Sequence, residues 1–218
     1  MNQPALAFDR ATDTLLGAST LERAAAMAFR AGARTSAMWS YRGYGAGCRL
    51  VRSLLAPRDI EVRLNDDALF AFPYGDGYWS LLLDPKFRYE SDIEALFAGI
   101  ADADYTLIDC GANFGYWSVL ASSKPFGEHR AIAIEPSAQN YARLTHNAAI
   151  NDNRFVTLKR AIGAARGTAI LSGAKHEQLS IAGSPQVSGQ SSAVSGGEAV
   201  EVIALDHLIE DGAIDGQG

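Results

Sequence analysis

The chain has 218 residues, 48% hydrophobic and 20% charged, the balance of an ordinary globular protein long enough for a real core. Its formal net charge of −6 argues against a nucleic-acid groove spread over the surface. No uninterrupted apolar run reaches membrane-spanning length, and the N-terminus lacks the basic–apolar–small pattern of a signal peptide, so no membrane partner and a cytoplasmic location are expected.

Two cysteines, Cys48 and Cys110, make no disulfide framework, and the histidines show no metal-ligand spacing with them; no metal is expected. Ser19-Thr20-Leu21-Glu22 fits a capping box that starts a helix. Leu21, Ala25, Met27, Ala28 and Phe29 give that helix a loose apolar face, and Gly32 offers a stop. Leu50, Val51, Leu54 and Leu55 repeat at helical spacing before Pro57. Arg30, Arg34, Arg42, Arg49 and Arg52 make this section basic, either as a solvated face or as a contact surface for an acidic substrate or partner. Residues 1–58 are thus expected to form an N-terminal helical region.

From residue 59 the period changes. Ile60, Val62 and Leu64 alternate with Glu61 and Arg63, Asn65-Asp66-Asp67 supplies a turn, and Leu69 to Phe72 reads as the returning strand. After Pro73-Tyr74-Gly75-Asp76-Gly77, the run Tyr78 to Leu83 reads as a further strand, making 59–88 a small antiparallel meander. Ser91 and Glu94 form a second capping box ahead of Ile93, Leu96, Phe97 and Ile100. Glu90 just before it is either an exposed helix-start carboxylate or a group directed into a cleft.

Tyr105-Thr106-Leu107-Ile108 is apolar and β-branched, the composition of a strand buried on both faces. It breaks into Asp109-Cys110-Gly111-Ala112-Asn113-Phe114-Gly115 and resumes as the helical Tyr116 to Ala121. Strand, glycine turn and helix in that order are the first unit of a doubly wound α/β sheet. The glycines let the backbone turn sharply and approach a ligand, and the helix start adds N–H groups that favour electron-rich atoms. Cys110 reads as a buried packing residue before it reads as a redox or metal group. Asn113 stands where a dinucleotide fingerprint has its middle glycine, so that fingerprint is not met. A second strand, Ala131 to Ile134, ends in Glu135-Pro136-Ser137, with Glu135 lying 24 positions after Gly111, about where an acidic residue meets ribose hydroxyls.

Together, LIDCGANFGYWS, AIEPS and THNAAINDN resemble the FkbM-type family of class I methyltransferases that use S-adenosylmethionine, over roughly Tyr89 to Leu208. The resemblance implies a partial Rossmann-like methyltransferase domain over 89–218, preceded by the helices and the meander. It implies that Asp109, Gly111, Asn113 and Gly115 surround the methionine end of S-adenosyl-L-methionine, that Glu135 accepts from the ribose, and that Pro136 shapes that turn. Ala161 and Ile162, after a third strand at Phe155 to Lys159, either border the adenine or pack a strand end. The acceptor implied is a small molecule or glycan methylated on oxygen, and no general base is nominated. Rival readings are a degenerate cofactor-binding or interaction module and a nicotinamide-dependent oxidoreductase.

Ser137 caps a helix carrying Tyr141, Leu144 and Ala148, while Gly167 to Leu171 suggests a hairpin on the third strand. Ala182 to Gly197 is Ser/Gly-rich and reads as a mobile loop or a substrate-gating lid. Val200 to Leu205 resumes strand character, followed by a short helix from Asp206. The family's next strand, of the form K-x-D-x-E-G, does not occur. The chain is therefore expected to be a fragment and a poor catalyst, self-associating through an uncovered sheet edge unless the meander or a second chain closes that edge.

Overall fold

A computed structural model describes residues 3–172, 180–186, 197–210 and 212. The chain divides into two compact units, one of Met1–Asp102 with Ser123–Phe126, the other of Ala103–Ser122 with Gly127–Gly218.

The first unit opens on a hairpin that the helical expectation for this region did not include: β1 (Leu6–Asp9) and β2 (Thr14–Leu16) pair antiparallel. The segments are too short to show a clear period, and the turn is made locally. Asp9 Oδ1 accepts from the backbone N–H groups of Ala11 and Thr12, and Asp13 takes a left-handed φ of 54°. β3 (Asp59–Asn65) and β4 (Ala68–Pro73) form the expected hairpin, and β1 adds parallel to β3, giving the order β2-β1-β3-β4. Leu6, Phe8, Ile60, Val62, Phe70 and Phe72 are buried along it.

Trp79–Leu83, expected as a further strand, is a 3-10 turn instead. Asp76 Oδ1 caps it by accepting from the N–H groups of Tyr78 and Trp79. Its apolar run reflects burial of all five side chains, not a sheet.

α1 (Thr20–Ser36) begins at the expected capping box, with Ser19 N–H donating to Glu22 Oε2 at 2.8 Å and Glu22 N–H to Ser19 Oγ at 3.3 Å. It runs through Gly32 instead of stopping there; a Cβ at that position would lie 3.5 Å from the Tyr44 ring of α2 (Tyr44–Arg52), in ordinary van der Waals contact. The buried face of α1 is Ala25, Ala26, Phe29 and Ala33, while Leu21 and Met27 are exposed. α2 starts earlier than its leucine spacing suggests and buries Tyr44 and Cys48; Leu50 and Leu54 face outward. α3 (Ser91–Gly99) is capped at Glu90 and not at Ser91, and Glu94 pairs with Arg88 at 2.7 Å, so the second capping box does not form.

The second unit contains β5 (Thr106–Cys110), α4 (Tyr116–Ala121), β6 (Arg130–Ile134), α5 (Ala138–Ala149) and β7 (Val156–Leu158). The three strands are parallel in the order β5-β6-β7 and are joined by helices, as βαβ units require. β6 is central, with Ala131 to Ile134 fully buried. β5 pairs with β6 alone among the described residues and is half-exposed, contrary to the expectation of burial on both faces. Cys110 at its end is accordingly exposed, not packed.

The chain then builds a second sheet from β8 (Ala161–Ile162), β9 (Gly167–Ser172), β10 (Ser180–Gln186) and β11 (Glu198–Ile203), in the order β10-β9-β11-β8. The anticipated hairpin on the third strand is absent, since β11 inserts between β8 and β9 and pairs parallel with the one and antiparallel with the other. Of the anticipated loop or lid, positions 182–186 belong to β10, which pairs with β9, and 187–196 lie outside the described residues. Ile203 of β11 and Leu208 of α6 (Asp206–Glu210) pack with Ile132 and Ile134, tying this end of the chain to the parallel sheet.

Candidate cofactor site

The carboxyl ends of β5 and β6 converge on one turn. Past β5, the N–H groups of Gly111 and Ala112 both donate to the Ile134 carbonyl at 2.8 and 3.0 Å, which holds the turn against the last residue of β6. Gly111, Asn113 and Gly115 all take left-handed φ, at 79°, 54° and 87°. Gly and Asn are the residues that tolerate this conformation best.

The two glycines do different work. A Cβ at Gly115 would lie 2.5 Å from Leu144 Cδ1 on α5, so that glycine permits close helix packing. A Cβ at Gly111 would meet nothing within 4 Å, so that glycine borders open space.

Glu135, immediately after β6, fastens the turn. Its Oε2 accepts from Asn113 N–H at 2.9 Å, and its Oε1 from Ser137 N–H at 2.9 Å and Asn140 Nδ2 at 3.4 Å. The residue is only 4% exposed, and burial pushes its carboxyl above the ordinary range, against the opposing pull of the Ser137 and Asn113 N–H groups. The Asp109 carboxylate raises it further. Asp109 is itself oriented by Ser118, whose hydroxyl donates to Oδ2 at 2.8 Å. Asn147 Nδ2 donates to the Phe114 carbonyl at 2.9 Å and satisfies the buried side of the turn.

Six of the seven sequence-predicted site residues are therefore assembled in one place: Asp109, Gly111, Asn113, Gly115, Glu135 and the half-buried Pro136 that leads into the Ser137 cap of α5. Ala161 is different. It pairs with Val202 in the second sheet, and its methyl group is buried with Ala169, Leu171 and Val200. Ser118, Asn140 and Asn147 were not anticipated. Ser118 lies within the motif stretch, but only the fold shows that one turn of backbone carries its hydroxyl back to Asp109.

The family model described as the methyltransferase FkbM domain matches residues 109–217, half of the chain. The chain belongs to the FkbM methyltransferase family. No curated protein and no solved structure matches it. Membership makes the chain an S-adenosylmethionine-dependent methyltransferase. The FkbM match begins at Asp109, within the last two residues of β5, and takes in the turn, Glu135, β6, β7 and the second sheet. Among the described residues no cluster of histidine, cysteine, aspartate or glutamate has the make-up of a metal site, and no helix is long and apolar enough to cross a membrane.

Proposed function

We propose that this FkbM-type chain transfers a methyl group to an oxygen of a small-molecule or glycan acceptor, with its cofactor held across the ends of β5 and β6. In this reading β5, β6 and β7 are one half of a doubly wound, Rossmann-like sheet. Bound S-adenosylmethionine supplies an electrophilic methyl group on a sulfonium.

The observation that carries the reading is the hydrogen-bond capacity of Glu135. A carboxylate offers about four acceptor positions, and protein N–H groups occupy three. One position thus receives a ribose hydroxyl directly, and the second hydroxyl is received when Asn140, the longest of the three contacts, swings away. The other side of the site fits as well. Asp109, held by Ser118, presents negative charge to an α-ammonium group, and the open space beside Gly111 admits a ligand against bare backbone. Asn113 and Gly115 keep the turn in shape, and Pro136 fixes the chain between Glu135 and α5. Ala161, its side chain packed inside the second sheet, contributes to the adenine border through its backbone, with Ile162 beside it. What the chain contributes to rate is alignment of an acceptor oxygen with the methyl group.

The test is transfer of labelled methyl from S-adenosylmethionine to hydroxylated small molecules and glycans, with S-adenosylhomocysteine and NADH as competitors. Label stable as an ether and competed by S-adenosylhomocysteine alone supports the reading. Label on nitrogen, or competition by NADH, contradicts it.

A further inference from the structure

The first unit holds a groove of about 400 Å³ between α1 and α2, within the size range of small-ligand sites and outside the family match. Its floor is Phe29, Ser36, Tyr44 and Cys48, all buried, and its rim carries Trp39 and Arg42, both exposed. Protein interiors are packed as tightly as organic crystals, so an opening of this size between two helices is a specific feature of their sequences. Missing side chains create it: Gly32 and Gly47 line it, and a Cβ at Gly47 would meet nothing within 4 Å.

The chemistry of the lining selects among ligands. Burial pushes the Cys48 thiol up to about 11, so it stays neutral near pH 7. The Tyr44 hydroxyl is buried beside the Cys48 thiol, which it meets as a hydrogen-bond partner. Arg42 is the one charged group among the described residues that line the groove. Residues 19–57 carry six arginines and one acidic residue in a chain of net charge −6, and not all of those arginines are available to a ligand. Arg30 and Arg34 are taken by Asp13 and Asp84; Arg42 forms no ion pair among the described residues. An aromatic, uncharged floor below a single guanidinium disfavours cations and leaves a polar or zwitterionic ligand no acidic counterpart. It matches an alkyl or aryl chain ending in a carboxylate or phosphate.

We propose that the α1–α2 groove is a binding site for a small amphipathic anion, its apolar chain against Phe29 and Tyr44 and its head group on Arg42. The site is separate from the methyl-transfer site and does not depend on that reading.

The test titrates the full chain with dodecanoate below its micelle concentration, following the fluorescence of Trp39 with Trp39→Phe as the blank. Saturation at one equivalent is expected, with dodecyltrimethylammonium giving none. Arg42→Ala should weaken binding about ten- to a hundredfold, the range for a lost hydrogen bond to a charged group. Gly47→Leu should abolish it by filling the groove. Arg42→Glu alters only an exposed side chain and should also lose dodecanoate, which keeps the proposal falsifiable if Gly47→Leu fails to fold. Absence of saturation, equal binding of the cationic probe, or affinity unchanged in both Arg42 variants overturns the site. Binding to acidic phospholipid vesicles that Gly47→Leu leaves intact, with no uptake of dodecanoate, overturns it in favour of a membrane-facing surface.

Discussion

Gly111 and Gly115 are four residues apart in one turn and share a left-handed backbone, yet their replacement by alanine should have opposite kinds of consequence. Each substitution carries the cost of a Cβ at positive φ, about 1–2 kcal/mol. At Gly115 the new Cβ also lies 2.5 Å from Leu144 Cδ1, on a leucine that is fully buried and has little room to give. Overpacking of this kind adds about 1–3 kcal/mol. Gly115→Ala should therefore lower unfolding free energy by about 2–5 kcal/mol, and Gly111→Ala by only about 1–2 kcal/mol. Urea unfolding of both variants reads the difference as a shift in midpoint at constant slope. Leu144→Val, which withdraws the clashing methyl, should make the double variant with Gly115→Ala more stable than the two single effects added together. In calorimetry with S-adenosylhomocysteine the order should reverse among molecules that remain folded, because only Gly111 borders the open space. Equal destabilisation at both glycines, or strict additivity with Leu144→Val, would refute the division of labour.

Other consequences are equally open to measurement. Arg34, through its hydrogen bonds at 2.7 and 3.0 Å, holds the buried Asp84 carboxyl below its ordinary range. The stability it confers is present above the ordinary carboxylate pKa and is lost as pH falls through the lowered value, so Arg34→Ala should lower the melting temperature at pH 7 and converge with wild type in acid. Glu135 runs the other way. Its raised carboxyl makes its contribution to stability fall as pH rises from the ordinary pKa through the raised one, and Glu135→Gln should flatten that window of the melting-temperature profile. A thiol reagent at pH 8 should modify the exposed Cys110 in the folded chain, slowed because burial and the Asp109 carboxylate push its thiol up, while Cys48 should react only on unfolding; modification of both in the folded chain would contradict the burial of α2. Since β5 has a strand partner on one side only among the described residues, sedimentation should show concentration-dependent self-association; a monomer at all concentrations would show that edge to be covered.

The parts of the fold legible in the sequence are those carried by local chemistry. The Ser19–Glu22 box, the Ile60-to-Phe72 hairpin and the Asp109–Gly115 turn each announce themselves within a few residues, and each is where expected. What the sequence did not disclose depends on partners far along the chain. β11 is read correctly as a strand, but nothing local says that it inserts between β8 and β9. Trp79 to Leu83 is as apolar as a strand, and only the Asp76 cap turns it into a helix turn. Cys110 is exposed because β5 is an edge among the described strands, a property of the sheet and not of the cysteine. The candidate site follows the same rule. Its acids and glycines stand in the motif, whereas Asn140 and Asn147 reach it from one face of α5, two turns apart, where an asparagine in a helix carries no signal of its own.

Calorimetric titration of the chain and of Glu135→Ala with S-adenosylhomocysteine reads out whether the cofactor sits at the ends of β5 and β6. Wild type should bind one-to-one, and the variant should bind with an affinity lower by about 1–3 kcal/mol, the range for losing hydrogen bonds to a charged acceptor. Glu135→Gln, which keeps one acceptor oxygen, should fall between them. No heat with a folded wild-type chain, or equal affinity in a folded Glu135→Ala, would remove the cofactor from the ends of β5 and β6.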